Sequence, residues 1–223
     1  MTTAQVTFDD VRNSPEIRTY ITQADASLIA MGYTEHSFAH VARCAQVAAS
    51  ILTQLGYNQR EVELAKIAAF MHDIGNVINR ADHAQSGAVM AFRILDKMGM
   101  PPAEVATVIT AIGNHDEHTA FPVNAVAAAL ILADKTDVRR TRVRNQDITK
   151  FDIHDRVNYA VEQSDVILNT EAKTITLALS INTQVCAVMD YFEIFLQRMV
   201  LCRKAAEFFS LTFHLDINGQ QLL

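Results

Sequence analysis

The stretch from Asn124 to Asp134 constrains this chain more than any other. After Asn124 the residues run Ala-Val-Ala-Ala-Ala-Leu-Ile-Leu-Ala, all apolar, and Asp134 then stands where the run would continue. A helix that is apolar on every side cannot lie on a surface, so other elements must surround it. The pattern predicts a buried central helix from Asn124 to about Arg139. A carboxylate on such a helix costs several kcal/mol unless it is ionically paired or metal-bound. Asp134 is therefore the first residue to ask for a chemical role.

The chain before this run also carries helical periodicity. Ser14-Pro15-Glu16 has a capping side chain followed by proline in the first turn, which starts a helix ending at Gly32. A second helix runs from about Glu35 to Leu55 and stops at Gly56. Its residues Val41, Ala45, Ala48, Ala49 and Leu52 fall at helical spacing. Asn58 caps a third, which leads into His72-Asp73. A fourth covers about Asp82 to Met98, and Gly99 with Pro101-Pro102 ends it and starts a fifth, which reaches about Asn114. The texture changes near residue 150. Val157 to Val161 and Asp165 to Asn169 are short strand-like runs, and Thr174 to Ile181 alternates as a half-buried strand does. A helix from about Thr183 to Glu207 and a strand from Phe209 to Ile217 complete a ββαβ pattern, expected as a small antiparallel sheet packed on its helix. The expectation is a mainly α protein with a helical unit over residues 1–150 and a small α+β appendage over 151–223.

With half of the residues hydrophobic and a fifth charged, the chain is a packed globular protein and not a disordered one. The net charge of -6 argues against a nucleic acid polymer as partner. Cys44, Cys186 and Cys202 are scattered, with no CxxC pair, which suits buried thiols in a reducing compartment. Met1 to Arg12 lacks the apolar stretch of a signal peptide, and no uninterrupted apolar run reaches the ~18 residues a membrane span needs. A cytoplasmic protein with no membrane partner is expected.

Four residues recur as candidates for chemistry. His72 and Asp73 lie at the end of an apolar helix. Neighbours on a helix diverge by about 100°, so both serve one ion only if the helix end aims them into a shared cleft. His40 lies on an earlier helix, with Arg43 one turn later, and His36 is its rival on the same face. Two imidazoles with the carboxylates of Asp73 and Asp134 form a hard nitrogen and oxygen set. Such a set suits Fe, Mn, Mg, Co, Ni or Zn and is poor for Cu(I).

This order of elements, His40, then His72-Asp73-Ile-Gly, then Ala133-Asp134 on a later helix, resembles the HD superfamily of metal-dependent phosphohydrolases. The resemblance covers roughly residues 14 to 144. It implies an HD-type helical bundle with a divalent metal held by the H…HD…D set, and the His-x-x-Arg spacing of that family favours His40 over His36. His83-Ala-Gln-Ser-Gly-Ala88 and Ala111-Ile-Gly-Asn-His115 further resemble the dinuclear branch represented by the symmetrical dinucleoside tetraphosphate hydrolases. By that resemblance Asp73 bridges two ions, with His40, His72 and Asp134 on one and His83 and His115 on the other. The chain departs from those hydrolases after Asp134 and carries the extra ββαβ region, so their substrate does not transfer. One ion or two stays open at this stage.

The segment Lys135 to Arg144 carries Lys135, Arg139, Arg140, Arg142 and Arg144 against Asp137 alone. One reading is a solvated helix end with cations on the negative pole of the helix dipole. The other places Lys135 and one or more of Arg139, Arg140 and Arg142 on substrate phosphate, where arginine's fork and lysine's point charge both serve. Asn79 and Ser86 are candidates for added hydrogen bonds. Asp116 and His118 are the candidates for a general acid, although their segment otherwise reads as a solvated loop. The implied activity is hydrolysis of a phosphate ester or phosphoanhydride of a nucleotide or other small phosphorylated metabolite, with Asp73 and Lys135 as catalytic groups. A dinuclear-iron oxygenase and a non-catalytic signalling module are the alternatives. The ββαβ region is a candidate for homo-oligomer contacts through its strand edges.

Overall fold

The structure, a computed structural model, describes residues 5–222, so the outermost residues of the two expected units, 1–4 and 223, lie outside it. Local capping sets where the helices begin. Thr7 and Asp10 form a reciprocal capping box that opens α1 (Phe8–Asn13), a helix the sequence pattern did not anticipate. Ser14 caps α2 (Pro15–Ala30), with Pro15 in the first turn as expected. Ser37 caps α3 (Phe38–Gln54), which starts three residues later than predicted. Asn58 and Glu61 form a second capping box at α4 (Gln59–Met71). α2 and α3 give way to Gly32 and Gly56, whose φ of 81° and 80° only glycine adopts freely.

After α4 the chain makes a tight 3-10 turn over Ile74–Val77 and enters α5 (His83–Lys97), then α6 (Pro102–Gly113) and α7 (Ala125–Lys135). α7 is the buried central helix: every residue from Val126 to Lys135 is buried. Its all-round apolarity has a clear cause. Val126, Ala127, Ala129, Leu130 and Ala133 join the core shared by α3, α4, α5 and α6. Ala128, Ile131 and Leu132 join a second core formed with the C-terminal elements. The helix is therefore clamped from both sides.

α7 ends at Lys135, not near Arg139: Thr136 is its C-cap, with its hydroxyl donating to the Leu132 carbonyl (2.5 Å), and the chain then turns. Beyond it, Val157 to Ala160 is not a strand. Asp152 caps a helix, α8 (Ile153–Ala160), by accepting from the Asp155 N–H (2.7 Å), and Val157, Asn158 and Ala160 form its buried face. β1 (Val161–Asn169) follows and pairs antiparallel with β2 (Thr174–Ile181) across a tight turn. The alternation read in β2 is present: Ile175, Leu177, Leu179 and Ile181 are the buried set.

α9 (Val188–Phe208) then crosses over, and β3 (Thr212–Ile217) pairs with β2 in parallel. This corrects the all-antiparallel expectation. Returning through a 21-residue helix brings the chain back in the direction it left, which is the parallel βαβ connection. A short β4 (Gln220–Gln221) closes the sheet order β1-β2-β3-β4. The result is a mainly α chain ending in a small α+β region. Among the described residues, no helix is long and apolar enough to cross a membrane.

Candidate metal centre

Six side chains from five places in the sequence meet at one end of the helical bundle. α3 and α5 leave from this end, carrying His40 in the first turn and His83 as the first residue. α4, α6 and α7 arrive there and deliver His72, His115 and Asp134. Asp73 follows His72 at the head of the 3-10 turn. This answers how adjacent His72 and Asp73 reach one cleft: the helix stops between them and the backbone turns. Asn76 holds the turn by donating its side-chain amide to both the Asp73 carbonyl (3.0 Å) and Oδ1 (2.9 Å). Gly75 lets this turn press against α5, since a Cβ there would lie 2.0 Å from the His83 carbonyl oxygen.

All six residues are buried. The Asp73 carboxylate lies between two pairs of imidazoles. Its Oδ2 is 3.7 Å from His40 Nε2 and 3.3 Å from His72 Nε2. Its Oδ1 is 3.6 Å from His83 Nε2, which is 3.2 Å from His115 Nε2. Asp134 Oδ1 completes the first group at 3.3 Å from His40 Nε2 and 3.8 Å from His72 Nε2.

The far nitrogen of each ring is anchored. His72 Nδ1 meets the Ala69 carbonyl (2.8 Å), His83 Nδ1 the Arg80 carbonyl (3.0 Å) and His115 Nδ1 the Ile112 carbonyl (2.6 Å). His40 Nδ1 meets the buried Asp137 carboxylate (2.7 Å). These oxygens only accept, so each Nδ1 carries the hydrogen and each Nε2 presents a lone pair inward. That is the arrangement a ligating histidine requires. Among the described residues, moreover, His72 Nε2 and Asp73 Oδ2 are buried with no hydrogen-bond partner. Ligands at 2.0–2.2 Å from one ion stand about 3 to 3.5 Å from one another, close to the spacings seen here. The donor set fits a hard or borderline divalent cation.

The electrostatics agree. Burial alone pushes the Asp73 carboxyl up, but the His72 imidazole beside it holds it well below the usual carboxylate range. Asp134 behaves likewise, held down chiefly by Lys135 against the opposing effect of burial. Burial pushes His115 well below the ordinary imidazole value and His83 below it, which keeps both neutral as ligands must be. At His72 burial is overcome by the Asp73 and Asp134 charges and the shift is upward, so these carboxylates draw positive charge to the centre.

Around this core the basic segment behaves differently from expectation. Arg142 is buried behind His40, donating to the Glu35 carbonyl (2.9 Å) and the Asp137 carbonyl (2.8 Å). Arg139 forks onto Asp137 (2.5 and 3.0 Å). Arg140 donates to the Tyr159 carbonyl (2.6 Å) and lies over that ring. Arg139 and Arg142 thus sit on the Nδ1 side of His40, and all three candidate phosphate arginines are held by protein partners, because α7 ends four residues before Arg139. Lys135 does sit at the centre, but its Nζ bonds Asp134 Oδ2 (2.6 Å) and lies 3.2 Å from Glu117.

A cavity of about 670 Å³ opens beside the centre, lined by Tyr33, Asn79, Arg80, Asp116, Glu117 and His118 among others. Arg80 stands at the boundary, with Nη1 4.0 Å from Asp73 Oδ1 and its guanidinium over Tyr33. Asn79 lines this cavity, whereas the Ser86 hydroxyl is turned back onto carbonyls of its own helix and of Gly75. Asp116 lies 3.7 Å from His83 Nδ1, and His118 is exposed at the cavity wall. The rival His36 anchors its own Nδ1 on the Thr34 carbonyl (2.7 Å) and packs edge-on to His40. Cys44 lies near His40 and Asp134, yet burial pushes its thiol well above the usual range, so it stays protonated. Arg80, Asp137 and Arg198 were not singled out as site residues by sequence reasoning, whereas Glu117 belongs to the Asp116 to His118 loop, from which one side chain was expected to be able to reach the centre. The one available signal was Asp137, an acid isolated among five basic residues.

The model of the HD domain family matches residues 37–157, more than half of the chain, and the chain belongs to that family. No curated protein matches it. Among solved structures, the crystal structure of a predicted HD superfamily hydrolase from an uncultured Thermotogales bacterium is similar. It is 28% identical, the match covers 56% of this chain and 67% of that one, and the TM-score is 0.45. Family and site together describe an HD domain whose buried His and Asp groups fit a divalent metal.

Proposed function

We propose that this chain hydrolyses the phosphate ester or phosphoanhydride of a nucleotide or other small phosphorylated metabolite, using two divalent ions. The observation that carries the reading is the Asp73 carboxylate, whose two oxygens face separate imidazole groups, His40 with His72 and His83 with His115. His40, His72, Asp73 and Asp134 would hold one ion; Asp73, His83 and His115 the other. Bound divalent ions supply Lewis acidity toward phosphoryl oxygens and an activated water.

The chain's own residues do the rest. Asp137 and the three carbonyl anchors keep each imidazole in the ligating tautomer. Arg80, on the cavity side of Asp73, is placed to take a phosphoryl oxygen, a role the arginines beyond α7 leave open. Lys135 holds one oxygen of Asp134, leaving the other toward His40 and His72. Asp116, which lines the cavity beside His83, is the candidate to protonate a leaving group.

The test is a panel of nucleotides, phosphomonoesters and bis(4-nitrophenyl) phosphate, incubated with metal-loaded protein while phosphate release and oxygen uptake are followed. Metal-dependent hydrolysis without oxygen uptake is the expected result. Oxygen uptake without hydrolysis would replace the hydrolase by an oxygenase, and neither activity would leave a binding module.

A further inference from the structure

The C-terminal region reaches the centre through a line of four alternating charges. Arg198, on α9, directs Nε to Glu117 Oε1 at 2.6 Å. Glu117 Oε2 lies 3.2 Å from Lys135 Nζ, which bonds Asp134 Oδ2 at 2.6 Å. The Asp134 Oδ1 atom then faces His40 and His72. Lys135 is buried, and the Glu117 side chain is only 13% exposed. The guanidinium of Arg198 lies 4.6 Å from the centre of the Phe195 ring, itself buried in the second core.

We propose that Arg198 is a positioning residue of the metal centre, acting through Glu117 and Lys135 to hold Asp134 in its ligating orientation. The proposal rests on the metal-binding reading above. Lys135 has two acidic partners and can favour either one. Arg198 gives Glu117 a second cation, so Lys135 remains on Asp134. Without Arg198, Glu117 keeps a buried charge whose remaining close partner is Lys135, and uncompensated buried charge is strongly unfavourable. Glu117 then draws Lys135 toward itself, and Asp134 loses the bond that decides which of its oxygens faces the imidazoles. A ligating carboxylate depends on such outer bonds much as a ligating histidine does. On this account the C-terminal α+β region is part of the metal site and not a separate attachment.

The experiment uses the full chain, stripped of metal and titrated with Co²⁺, following both affinity and the visible Co(II) spectrum. Direct outer partners of a ligand are worth about 10–100-fold in metal affinity, and Arg198 stands further out, so R198M should weaken Co²⁺ binding about fivefold to tenfold with an altered spectrum. R198K, which keeps the charge, should return affinity to within about twofold of wild type. E117Q, which removes the acid that competes for Lys135, should keep Co²⁺ affinity within about twofold of wild type, and adding R198M to it should cost less than about twofold more, because the R198M loss requires the Glu117 charge.

Identical affinity and spectrum in R198M and wild type would overturn the proposal. So would a full R198M loss that persists in the E117Q background, because the route would then not pass through Glu117. If R198M does not fold, R198Q replaces it, and a loss of about fivefold or more in E117Q overturns the proposal equally. A wild-type chain that binds no Co²⁺ overturns the metal reading itself, and the relay with it.

Discussion

Gly75→Ala separates the two halves of the proposed centre without touching a ligand. A Cβ on Gly75 would lie 2.0 Å from the His83 carbonyl oxygen, 2.5 Å from the Gly87 nitrogen and 2.6 Å from Ser86 Oγ. Ordinary contact begins near 3.4 Å, so the first of these must recede by about 1.4 Å. Two of the three obstacles are backbone in the first turns of α5, so the helix start has to move as a body. His83 moves with it, away from an Asp73 Oδ1 that is now 3.6 Å distant. His40, His72 and Asp134 lie on other elements and stay. Overpacking a tight site costs about 1–3 kcal/mol or more, and here backbone must yield, so about 3 kcal/mol is expected. For a chain of this size that lowers the melting midpoint by about 6–12 °C. Thermal unfolding by circular dichroism and metal analysis on the same preparation read both effects. The variant should melt early and lose one ion while retaining the other. Gly113→Ala is the control: among the described residues its Cβ meets only Ala88 Cβ, at 3.6 Å, so it should be neutral or slightly stabilising. Were G75A to melt within about 2 °C of wild type with both ions retained, the close packing of the turn on α5 would not be what positions His83.

Three further outcomes follow from the same geometry. Asp137→Asn removes the carboxylate that anchors His40 Nδ1 and should weaken Mn²⁺ binding about 10–100-fold by calorimetry, an unchanged affinity contradicting the anchoring role. Arg80→Met should raise KM for a phosphorylated substrate about tenfold or more with metal content unchanged, since a charge-assisted hydrogen bond is worth about 1.5–3 kcal/mol; an unchanged KM would remove Arg80 from the substrate. Burial raises Cys44 well above the ordinary thiol range, Cys186 to about 11 and Cys202 to about 12, so at pH 8 all three remain thiols. The native protein should then show no rapid reaction with a disulfide reagent and the denatured protein three equivalents, whereas a fast native equivalent would contradict the burial.

What was legible in the sequence was local. Ser14-Pro15, Asn58 with Glu61, and the glycines after α2 and α3 mark helix ends through chemistry that acts within a few residues. The six candidate ligands were grouped by their resemblance to the HD superfamily, and all of them lie at or beside such helix ends. The direction of Arg139, Arg140 and Arg142 was not legible, because it depends on α7 stopping at Lys135, an end that no glycine or proline marks in the sequence. Val157 to Val161 alternates β-formers at Val157, Tyr159 and Val161, yet the Asp152 cap and packing of the buried face make residues up to Ala160 a helix. The pairing of β3 beside β2 depends on how α9 lies across the sheet, and the Glu117–Arg198 contact joins a loop that reads as solvated to a helix in a different core. Neither leaves a pattern in the chain, because tertiary packing alone brings the partners together.

The most direct test of the account is metal content. Elemental analysis of the full chain, purified without chelator, should give close to two divalent ions per chain, falling toward one in His83→Ala. Absence of metal even after loading with Mn²⁺, Fe²⁺ or Co²⁺ would contradict the central claim.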